Sequence, residues 1–454
     1  MKAAFHTLGC KVNQYETEAM KEQFKAAGFE ITGEEDFADV YVINTCTVTN
    51  LADRKSRQYI RRMKKKNPEA VVAVTGCYAQ VKPEEVSALE EVNIVAGTGE
   101  KNNIVRYVQE FLDLRENQQH IRAYDELINY DDRGIITSME SRTRAYIKIQ
   151  DGCNQFCSYC VIPYARGRVR SRKEEDIIKE VKGLVTAGYR EIVVTGIHLS
   201  SYGLDFINKE SGDYLQGVDI RTQAYRKGYL LDILEKINAI EGLERIRIGS
   251  LEPRIITEEF ASRLKKLDKL CPHFHLSLQS GCDATLKRMN RHYSADEFKE
   301  KVEILRNIFE NPAITTDVIV GFPGETEEEF AATYEFIKDI RFYEMHVFKY
   351  SKRQGTVAAA RTDQIDDRIK TKRSNQLLEM EQKQSADYRA GYLGKTVEAL
   401  LEEEKVIRGK KYQVGYTRNY VKVAIETAEN LSNCIVEGKA AALLDNEYLL
   451  IEKS

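Results

Sequence analysis

Short apolar runs alternate with longer amphipathic stretches in the first part of the chain. The runs at residues 3–8, 40–44 and 71–76 are partly β-branched, as in strands buried on both faces of a parallel sheet. Residues 14–27 and 53–66 repeat apolar positions with the period of a helix, and Asn67-Pro68 ends the second. This alternation predicts a doubly wound α/β domain over residues 1–135.

A strand–loop–helix unit then repeats six times between residues 136 and 370. Helical patterns follow most of the apolar runs, for example at residues 174–187 and 327–340. Six such units predict a partial (β/α)6 barrel of the TIM type. A long polar stretch, residues 204–230, is expected to be a surface insertion. The predicted strands are residues 144–150, 191–195, 245–249, 274–278, 314–320 and 344–350.

The period changes again in the last part of the chain. A charged helical stretch covers residues 363–389, and we expect a linker helix at 371–390 between two domains. From Gly391 onward the apolar residues recur at every second position. That period predicts a small antiparallel β-barrel over residues 391–454, a shape that many nucleic-acid-binding modules use.

The composition narrows the class of protein without identifying it. With 42% hydrophobic and 31% charged residues, the chain is typical of globular proteins and unlike disordered or fibrous ones. No apolar run approaches the roughly 18 residues of a membrane helix, and the start does not resemble a signal peptide, so we expect a cytoplasmic location. The formal net charge of −3 differs from the basic composition of most nucleic-acid binders. Contact with RNA would therefore depend on local basic patches.

Three segments are candidates for such patches, because Lys and Arg neutralise phosphates. One is the predicted helix at residues 53–66, and another is the run at residues 166–173; taken alone, either run is typical of a solvated surface. In the last segment basic residues lie near tyrosines, which suits stacking on unpaired bases. These residues are Lys405, Arg408, Lys410, Lys411, Tyr412, Tyr416 and Tyr420.

Three cysteines form a CxxxCxxC pattern directly after the first predicted barrel strand, at Cys153, Cys157 and Cys160. Thiolates are the usual ligands of iron–sulfur clusters, and the loops after barrel strands carry the chemistry of this fold. Three ligands would leave one iron of a four-iron cluster open. The alternative is a structural zinc site, which normally has four protein ligands, and the sequence places no fourth Cys or His nearby.

Cys10, Cys46 and Cys77 each follow a predicted strand of the first domain by one or two residues. The carboxyl ends of parallel strands border one crevice, so three separate loops can bring three thiolates together. The alternative is that each is a small core residue, and the residues alone leave both interpretations open. The remaining cysteines match no ligand pattern and are interpreted as ordinary residues; they are Cys271, Cys282 and Cys434.

The CxxxCxxC pattern in a six-unit barrel resembles the radical S-adenosylmethionine enzymes. The resemblance implies a [4Fe-4S] cluster whose open iron is chelated by S-adenosylmethionine, and one electron that cleaves this cofactor to a hydrogen-abstracting 5′-deoxyadenosyl radical. It also implies an electron donor such as a flavodoxin or ferredoxin. Candidate cofactor contacts follow successive predicted strands at Thr195, Gly196, Ser250, Glu252 and Gln279.

The motifs T-L-G-C-K-V-N-Q-Y-E-T-E, N-T-C-T-V-T and T-G-C-Y-A-Q resemble the amino-terminal domain of the methylthiotransferases, and the match covers essentially the whole chain. This resemblance implies a second [4Fe-4S] cluster on Cys10, Cys46 and Cys77, which carries the sulfur that is delivered. It also implies that residues 391–454 are the RNA-binding domain called TRAM.

The residues around Cys10, G-C-K-V-N, resemble one branch of this family. That branch methylthiolates C2 of N6-threonylcarbamoyladenosine next to the anticodon of transfer RNA, giving 2-methylthio-N6-threonylcarbamoyladenosine. Two other reactions of the family remain alternatives: methylthiolation of N6-isopentenyladenosine in transfer RNA, or of an aspartate in a ribosomal protein. An alternative of another class is a noncatalytic iron–sulfur RNA-binding protein.

Overall fold

The computed structural model of the chain describes residues 1–130, 134, 136, 139, 143–211 and 228–453. The first part of the chain alternates strands and helices as the apolar pattern predicts. Its elements are β1 (Lys2–Thr7), α1 (Lys11–Ala26), β2 (Glu30–Thr32), β3 (Val40–Thr45), α2 (Asn50–Lys66), β4 (Val71–Gly76), α3 (Cys77–Val81), α4 (Pro83–Ser87), β5 (Ile94–Ala96), α5 (Ile104–Leu114) and β6 (Gln118–His120).

These strands form a six-stranded parallel sheet in the order β2-β1-β3-β4-β5-β6. Separate apolar clusters cover its two faces, so β3 and β4 are buried on both sides. The doubly wound prediction is confirmed. The sequence analysis missed β2, β5 and β6, because three residues are too few to establish a period.

The second part forms the predicted partial barrel. Its elements are β7 (Arg144–Asp151), α6 (Ile162–Arg166), β8 (Arg170–Ser171), α7 (Glu174–Thr186), β9 (Glu191–Gly196), α8 (Leu204–Ser211), α9 (Tyr229–Asn238), β10 (Arg245–Ile248), α10 (Glu258–Lys265), β11 (His273–Gln279), α11 (Asp283–Arg288), α12 (Ala295–Ile308), β12 (Ala313–Val320), α13 (Glu327–Ile340), β13 (Glu344–Lys349), α14 (Val357–Ala360) and α15 (Asp367–Ala390).

The barrel strands lie in two sheets, β10-β9-β7-β8 and β11-β12-β13, which single bridges such as that between Leu251 and Leu276 join. Successive side chains of a strand point to opposite faces. Ile147 and Leu276 belong to the large apolar cluster beneath the helices, whereas Lys148, His275 and Asp317 alternate with members of that cluster. The inner side of the barrel, which we call the lumen, is therefore polar.

The predicted surface insertion at residues 204–230 is wrong at its beginning. Residues 204–211 form α8, in which Leu204 and Ile207 occupy one face and pack against Val169. Residues 212–227 of this stretch lie outside the described residues.

The last part of the chain is a closed barrel that follows α15. Its strands are β14 (Thr396–Ile407), β15 (Lys410–Thr417), β16 (Lys422–Glu426), β17 (Ile435–Leu444) and β18 (Tyr448–Lys453), in the order β14-β15-β16-β18-β17. The predicted antiparallel barrel is confirmed with one difference, since β16 and β18 pair in parallel. Within the described ranges, no helix is both long and apolar enough to cross a membrane.

The small barrel is docked on the amino-terminal ends of the partial barrel's strands. The Arg245 guanidinium, which is fully buried, donates to the Glu398 carboxylate at 2.7 Å and to a backbone carbonyl of β15 at 2.9 Å. Arg144 pairs with Glu402 at 2.5 Å, and Arg247 donates to the carbonyl oxygens of residues 417 and 418. Buried arginines with such partners tie the two barrels together.

Candidate active site

The cysteines of the first sheet, Cys10, Cys46 and Cys77, form what we call the amino-terminal triad. Gly9, with φ of +106°, lets the chain pass so close to Cys46 that a Cβ there would lie 2.9 Å from the Cys46 Sγ. Burial, with a smaller contribution from the neighbouring Cys77 and Cys10 thiols, raises the pKa of the Cys46 thiol to about 12. The ends of β1, β3 and β4 thus bring the triad together, which is the arrangement that the family resemblance implies.

A buried arginine supports this triad. The Arg166 guanidinium is fully buried, and its Nε donates to the Cys77 Sγ at 3.3 Å. A positive charge at this distance favours the thiolate form of a cysteine, which is the form that binds metals. Arg166 ends the short helix α6, so the partial barrel supplies a charge to a cysteine of the first sheet.

Arg166 belongs to a buried network of ion pairs between the first sheet and the barrel. The Glu16 carboxylate accepts from Lys148 at 2.7 Å, from Arg166 at 2.5 Å and from a third cation, and Asp151 holds a fourth. These ion pairs join four cations to two carboxylates, so positive charge is in excess beside Cys77. The cations are Lys101, Lys148, Arg166 and Arg170.

Cys153, Cys157 and Cys160, the barrel triad, lie in the loop that follows β7. The Cys160 backbone N–H donates to the Cys157 carbonyl at 2.9 Å, which folds the loop back on itself. Burial raises the pKa of the Cys160 thiol, and the Cys157 and Cys153 thiols add to this rise. The Arg291 Nη1 donates to the Cys157 Sγ at 3.4 Å. Arg291 was not predicted, and its own sequence neighbourhood carries no signal for such a role.

A cavity of about 220 Å³ lies beside the barrel triad and is bordered by residues of both domains. Val48 and Thr49, which follow Cys46, form one wall, and Cys160 forms another. Gln279 and Asp317, from two barrel strands, complete the lining on the barrel side. A larger cavity of about 940 Å³ lies between α13 and α15, and no cysteine lines it. The chemistry of this chain is therefore assigned to the smaller cavity.

The predicted cofactor contacts all lie at the carboxyl ends of barrel strands, but they differ in burial and in whether they line the cavity. Gln279 lines the cavity, and Thr195 is buried at the end of β9 beside Gly196. Glu252 is buried and accepts from Arg254 at 2.7 Å, whereas Ser250 is exposed. The binding of S-adenosylmethionine by these residues stays a prediction.

The structure contradicts the interpretation of residues 166–173 as a surface patch. Arg166, Arg170 and Arg172 are all buried, and Arg172 pairs with Glu180. The sequence run could not reveal this, because the partner carboxylates lie outside it, with Glu16 on α1, Asp151 on β7 and Glu180 on α7. Arg168 and Lys173 of the same run are exposed.

The tyrosines of the last segment are also not free for base stacking. Tyr412 is buried in the small barrel. Tyr416 and Tyr420 stack on one another with ring centroids 4.6 Å apart, and both rings contact Arg144 at the interface between the barrels. The basic residues of this segment are exposed, and each contacts an acidic residue or a tyrosine; they are Lys405, Arg408, Lys410 and Lys411.

The basic helix α2 does present an exposed face. Arg54, Lys55, Lys65 and Lys66 are exposed and form no ion pair with any residue in the described parts of the chain. The helix begins at Asn50, next to the wall of the cavity beside the barrel triad. Unpaired cations on this face suit contact with phosphates.

Comparisons with known proteins agree with this architecture. The family model described as "Uncharacterized protein family UPF0004" matches residues 2–97, and the model of the "Radical SAM superfamily" matches residues 147–337. Among solved structures, the radical S-adenosylmethionine methyltransferase TsrM from Kitasatospora setae has a TM-score of 0.55 at 14% identity, and the match covers 79% of this chain and 74% of that one. This likeness supports the fold.

Curated relatives match nearly the whole chain. The threonylcarbamoyladenosine tRNA methylthiotransferase MtaB of Bacillus subtilis is 44% identical over 96% of this chain and 93% of its own length. The Aquifex aeolicus protein of the same name is 40% identical, over 91% of this chain and 95% of its own. A Thermoanaerobacter tRNA-2-methylthio-N(6)-dimethylallyladenosine synthase is 37% identical, over 87% and 81%. The chain therefore belongs to the methylthiotransferase family of radical S-adenosylmethionine enzymes.

Proposed function

We propose that this enzyme attaches a methylthio group to C2 of N6-threonylcarbamoyladenosine, 3′-adjacent to the anticodon of transfer RNA. The observation that carries the proposal is that one cavity between two domains is lined by Cys160 of the barrel triad and by Val48 and Thr49, which follow Cys46 of the amino-terminal triad. The relatives named for this substrate support it over the isopentenyl alternative, since they reach 44% and 40% identity against 37%.

Each triad fits a four-iron cluster better than a single metal ion. In the described parts of the chain, neither triad has its three sulfur atoms within 4.8 Å of one another. The ligands of one tetrahedral zinc lie about 3.8 Å apart, given Zn–S bonds of about 2.3 Å. Three thiols without a fourth side-chain ligand also suit a cluster that keeps one iron open. When bound, the clusters supply the electron that cleaves S-adenosylmethionine and the site that holds the sulfur to be transferred.

Residues of this chain form the site and place positive charge beside its cysteines. Arg166 and Arg291 place guanidinium groups beside one cysteine of each triad, which favours thiolates as ligands. The carbon to be modified carries an unactivated C–H bond that side-chain acids and bases do not activate at neutral pH, so the reaction requires cofactor chemistry. The cavity beside the barrel triad offers a site in which the base can be oriented for reaction.

We assign the domains accordingly. Residues 1–135 are the methylthiotransferase domain, residues 136–370 the radical S-adenosylmethionine core, residues 371–390 the linker helix and residues 391–454 the TRAM domain. The exposed cations of α2 supply phosphate contacts beside the cavity. A flavodoxin or ferredoxin is the electron donor, and the transfer RNA substrate places the reaction in the cytoplasm.

The test is mass spectrometry of transfer RNA nucleosides from cells in which the gene is deleted. We expect 2-methylthio-N6-threonylcarbamoyladenosine to disappear and the unmodified threonylcarbamoyl nucleoside to accumulate. The wild-type gene and the Cys434→Ala control should restore the product, whereas Cys77→Ala should not, because only Cys77 belongs to a triad. Loss of the methylthiolated isopentenyl nucleoside instead would assign the enzyme to the alternative branch.

A further inference from the structure

Two histidines and one aspartate converge on the polar face of the sheet β11-β12-β13. Asp317 of β12 stands opposite His346 of β13, and His275 of β11 is in register with Thr315, two residues before Asp317. Side chains two residues apart on a strand share a face, so all three side chains lie on the same side of the sheet. One nitrogen or oxygen atom from each of the three lies within 4.8 Å of the other two. The strand register thus brings three potential metal ligands together.

The separations of these atoms match the coordination shell of one metal ion. The Asp317 Oδ1 lies 3.0 Å from the His346 Nδ1, and its Oδ2 lies 3.3 Å from the His275 Nε2. Ligand atoms that are about 2.0–2.1 Å from a tetrahedral ion are about 3.3–3.4 Å from one another. Within the described ranges, no other three His, Cys, Asp or Glu side chains meet in this way. One ion can therefore bind all three residues after small shifts of their side chains.

Asp317 has only histidines as partners, although other acidic residues of the barrel strands pair with full cations. Glu191 of β9, for example, pairs with Arg247 at 2.7 Å. In the described parts of the chain, Asp317 pairs with His275 and His346 and with no lysine or arginine. These contacts also suit hydrogen bonds from the two rings, but an imidazole with the ordinary pKa of about 6.5 is only partly charged near pH 7. A divalent cation supplies the positive charge that this carboxylate lacks.

A hydrogen bond orients the ring of His275. Its Nδ1 lies 3.0 Å from the Thr315 Oγ1, which can accept the proton of that nitrogen. The Nε2, which faces Asp317, is then unprotonated and can bind a metal ion. Metal-binding histidines almost always have their second ring nitrogen held by a partner of this kind. The Thr315 hydroxyl therefore prepares His275 as a ligand.

The three residues are accessible from solvent and border the cavity beside the barrel triad. His346 lies on β13, at the edge of its sheet, and 65% of its side chain is exposed, so an ion can reach the site. Asp317 also lines the cavity of about 220 Å³. Three protein ligands leave one position of a four-coordinate ion for water or for an oxygen atom of a bound ligand.

We propose that His275, Asp317 and His346 bind one divalent transition-metal ion, in addition to the iron of the two clusters. Imidazole nitrogens favour zinc, ferrous iron and related ions over magnesium and calcium, which prefer oxygen ligands. None of the three ligands is a cysteine, so this ion is distinct from the clusters. The proposal does not depend on which base the enzyme modifies.

The test is zinc binding to the reconstituted full-length holoenzyme, in which the cysteine triads already hold iron. We expect equilibrium dialysis against Zn²⁺, in a large excess of Mg²⁺, to give about one zinc ion per chain without loss of iron. X-ray absorption at the zinc edge should show only nitrogen and oxygen ligands, at about 2.0–2.1 Å. A sulfur shell at about 2.3 Å would place the zinc in a cysteine triad and overturn the proposal, as would the absence of stoichiometric zinc.

Variants locate the ion on the chain. His346→Gln and Asp317→Asn should each abolish stoichiometric zinc binding, because each removes a ligand, and Thr315→Val should raise the Kd for zinc by about 10- to 100-fold. The control His6→Gln alters the pair of His6 with Glu34, which belongs to no group of three ligands in the described parts of the chain, and should bind zinc as wild type does.

Iron content and circular dichroism show whether each variant keeps its clusters and its fold. If the folded variants His346→Gln and Asp317→Asn bind zinc as tightly as wild type, the assignment is wrong. The zinc-edge spectrum of wild type needs no variant, so it decides the matter even if a substitution impairs folding.

Discussion

Glu16 is the carboxylate that joins the first sheet to the partial barrel. It is fully buried on α1 and accepts from Lys148 at 2.7 Å, from Arg166 at 2.5 Å and from Lys101. Glu16→Gln keeps the volume of the side chain but removes its charge. Lys148, Arg166 and Arg170 then share Asp151 as their carboxylate, at 2.5, 3.6 and 3.2 Å.

Removing one partner of a buried ion pair costs about 3–5 kcal/mol, because a charge is left uncompensated away from water. We therefore expect Glu16→Gln to lower the free energy of unfolding by about that amount. The matched control is Asp339→Asn, which breaks the 2.6 Å pair with Lys299, whose two side chains are 61% and 43% exposed. An exposed pair contributes at most about 1 kcal/mol.

The assay is urea unfolding of the cluster-free protein, followed by far-ultraviolet circular dichroism. The chain contains no tryptophan, so circular dichroism is preferred to intrinsic tryptophan fluorescence. The midpoint and slope of the transition give the free energy of unfolding. If Glu16→Gln and Asp339→Asn destabilise the protein equally, the buried network does not hold the two parts together as we argue.

Three further predictions follow from the cysteines, the lumen and the basic helix. Replacing either triad with alanines should lower the iron content from about eight to about four atoms per chain, whereas replacing the three other cysteines should leave it unchanged, as a ferrozine assay would report. The hydrogen bond that His346 donates to the Asp317 carboxylate raises the pKa of His346, so Asp317→Asn should lower that pKa in a nitrogen-15 NMR titration of the metal-free protein. Because the folded pKa is raised, this pair stabilises the protein below the pKa of an unfolded histidine, and the contribution is lost as the pH rises through the His346 pKa. Arg54→Gln combined with Lys55→Gln should weaken transfer RNA binding and reduce the magnitude of its logarithmic salt slope by about one to two; an unchanged slope would remove α2 from the RNA surface.

The sequence predicts best what depends on neighbouring residues. Buried parallel strands such as β3 and β4 follow from continuous apolar runs, and the barrel triad follows from its spacing within one loop. The convergence of the amino-terminal triad needed the family resemblance, because its members are dozens of residues apart. The structure places them together at one edge of the sheet.

What the sequence could not predict depends on partners that lie in other secondary-structure elements. In the sequence, Arg166 and Arg172 resemble surface residues. In the structure, Arg166 pairs with Glu16 of α1 and Arg172 pairs with Glu180 of α7. The sequence predicts that Tyr416 can stack on an unpaired base, but in the structure the Arg144 guanidinium lies over its ring. In each case the burial of a polar side chain is decided by tertiary contacts, which outweigh the local preference for solvent.

The most direct test of the central claim follows the hydrogen that is replaced. Purified enzyme is reconstituted without oxygen and given S-adenosylmethionine, a reductant and stem-loop RNA with adenosine, N6-isopentenyladenosine or N6-threonylcarbamoyladenosine, the last deuterated at C2. We expect methylthiolation of the threonylcarbamoyl base alone, with deuterium recovered in 5′-deoxyadenosine, because the hydrogen at C2 is abstracted directly. Efficient modification of the isopentenyl base, or product formed without deuterium in 5′-deoxyadenosine, would contradict the account.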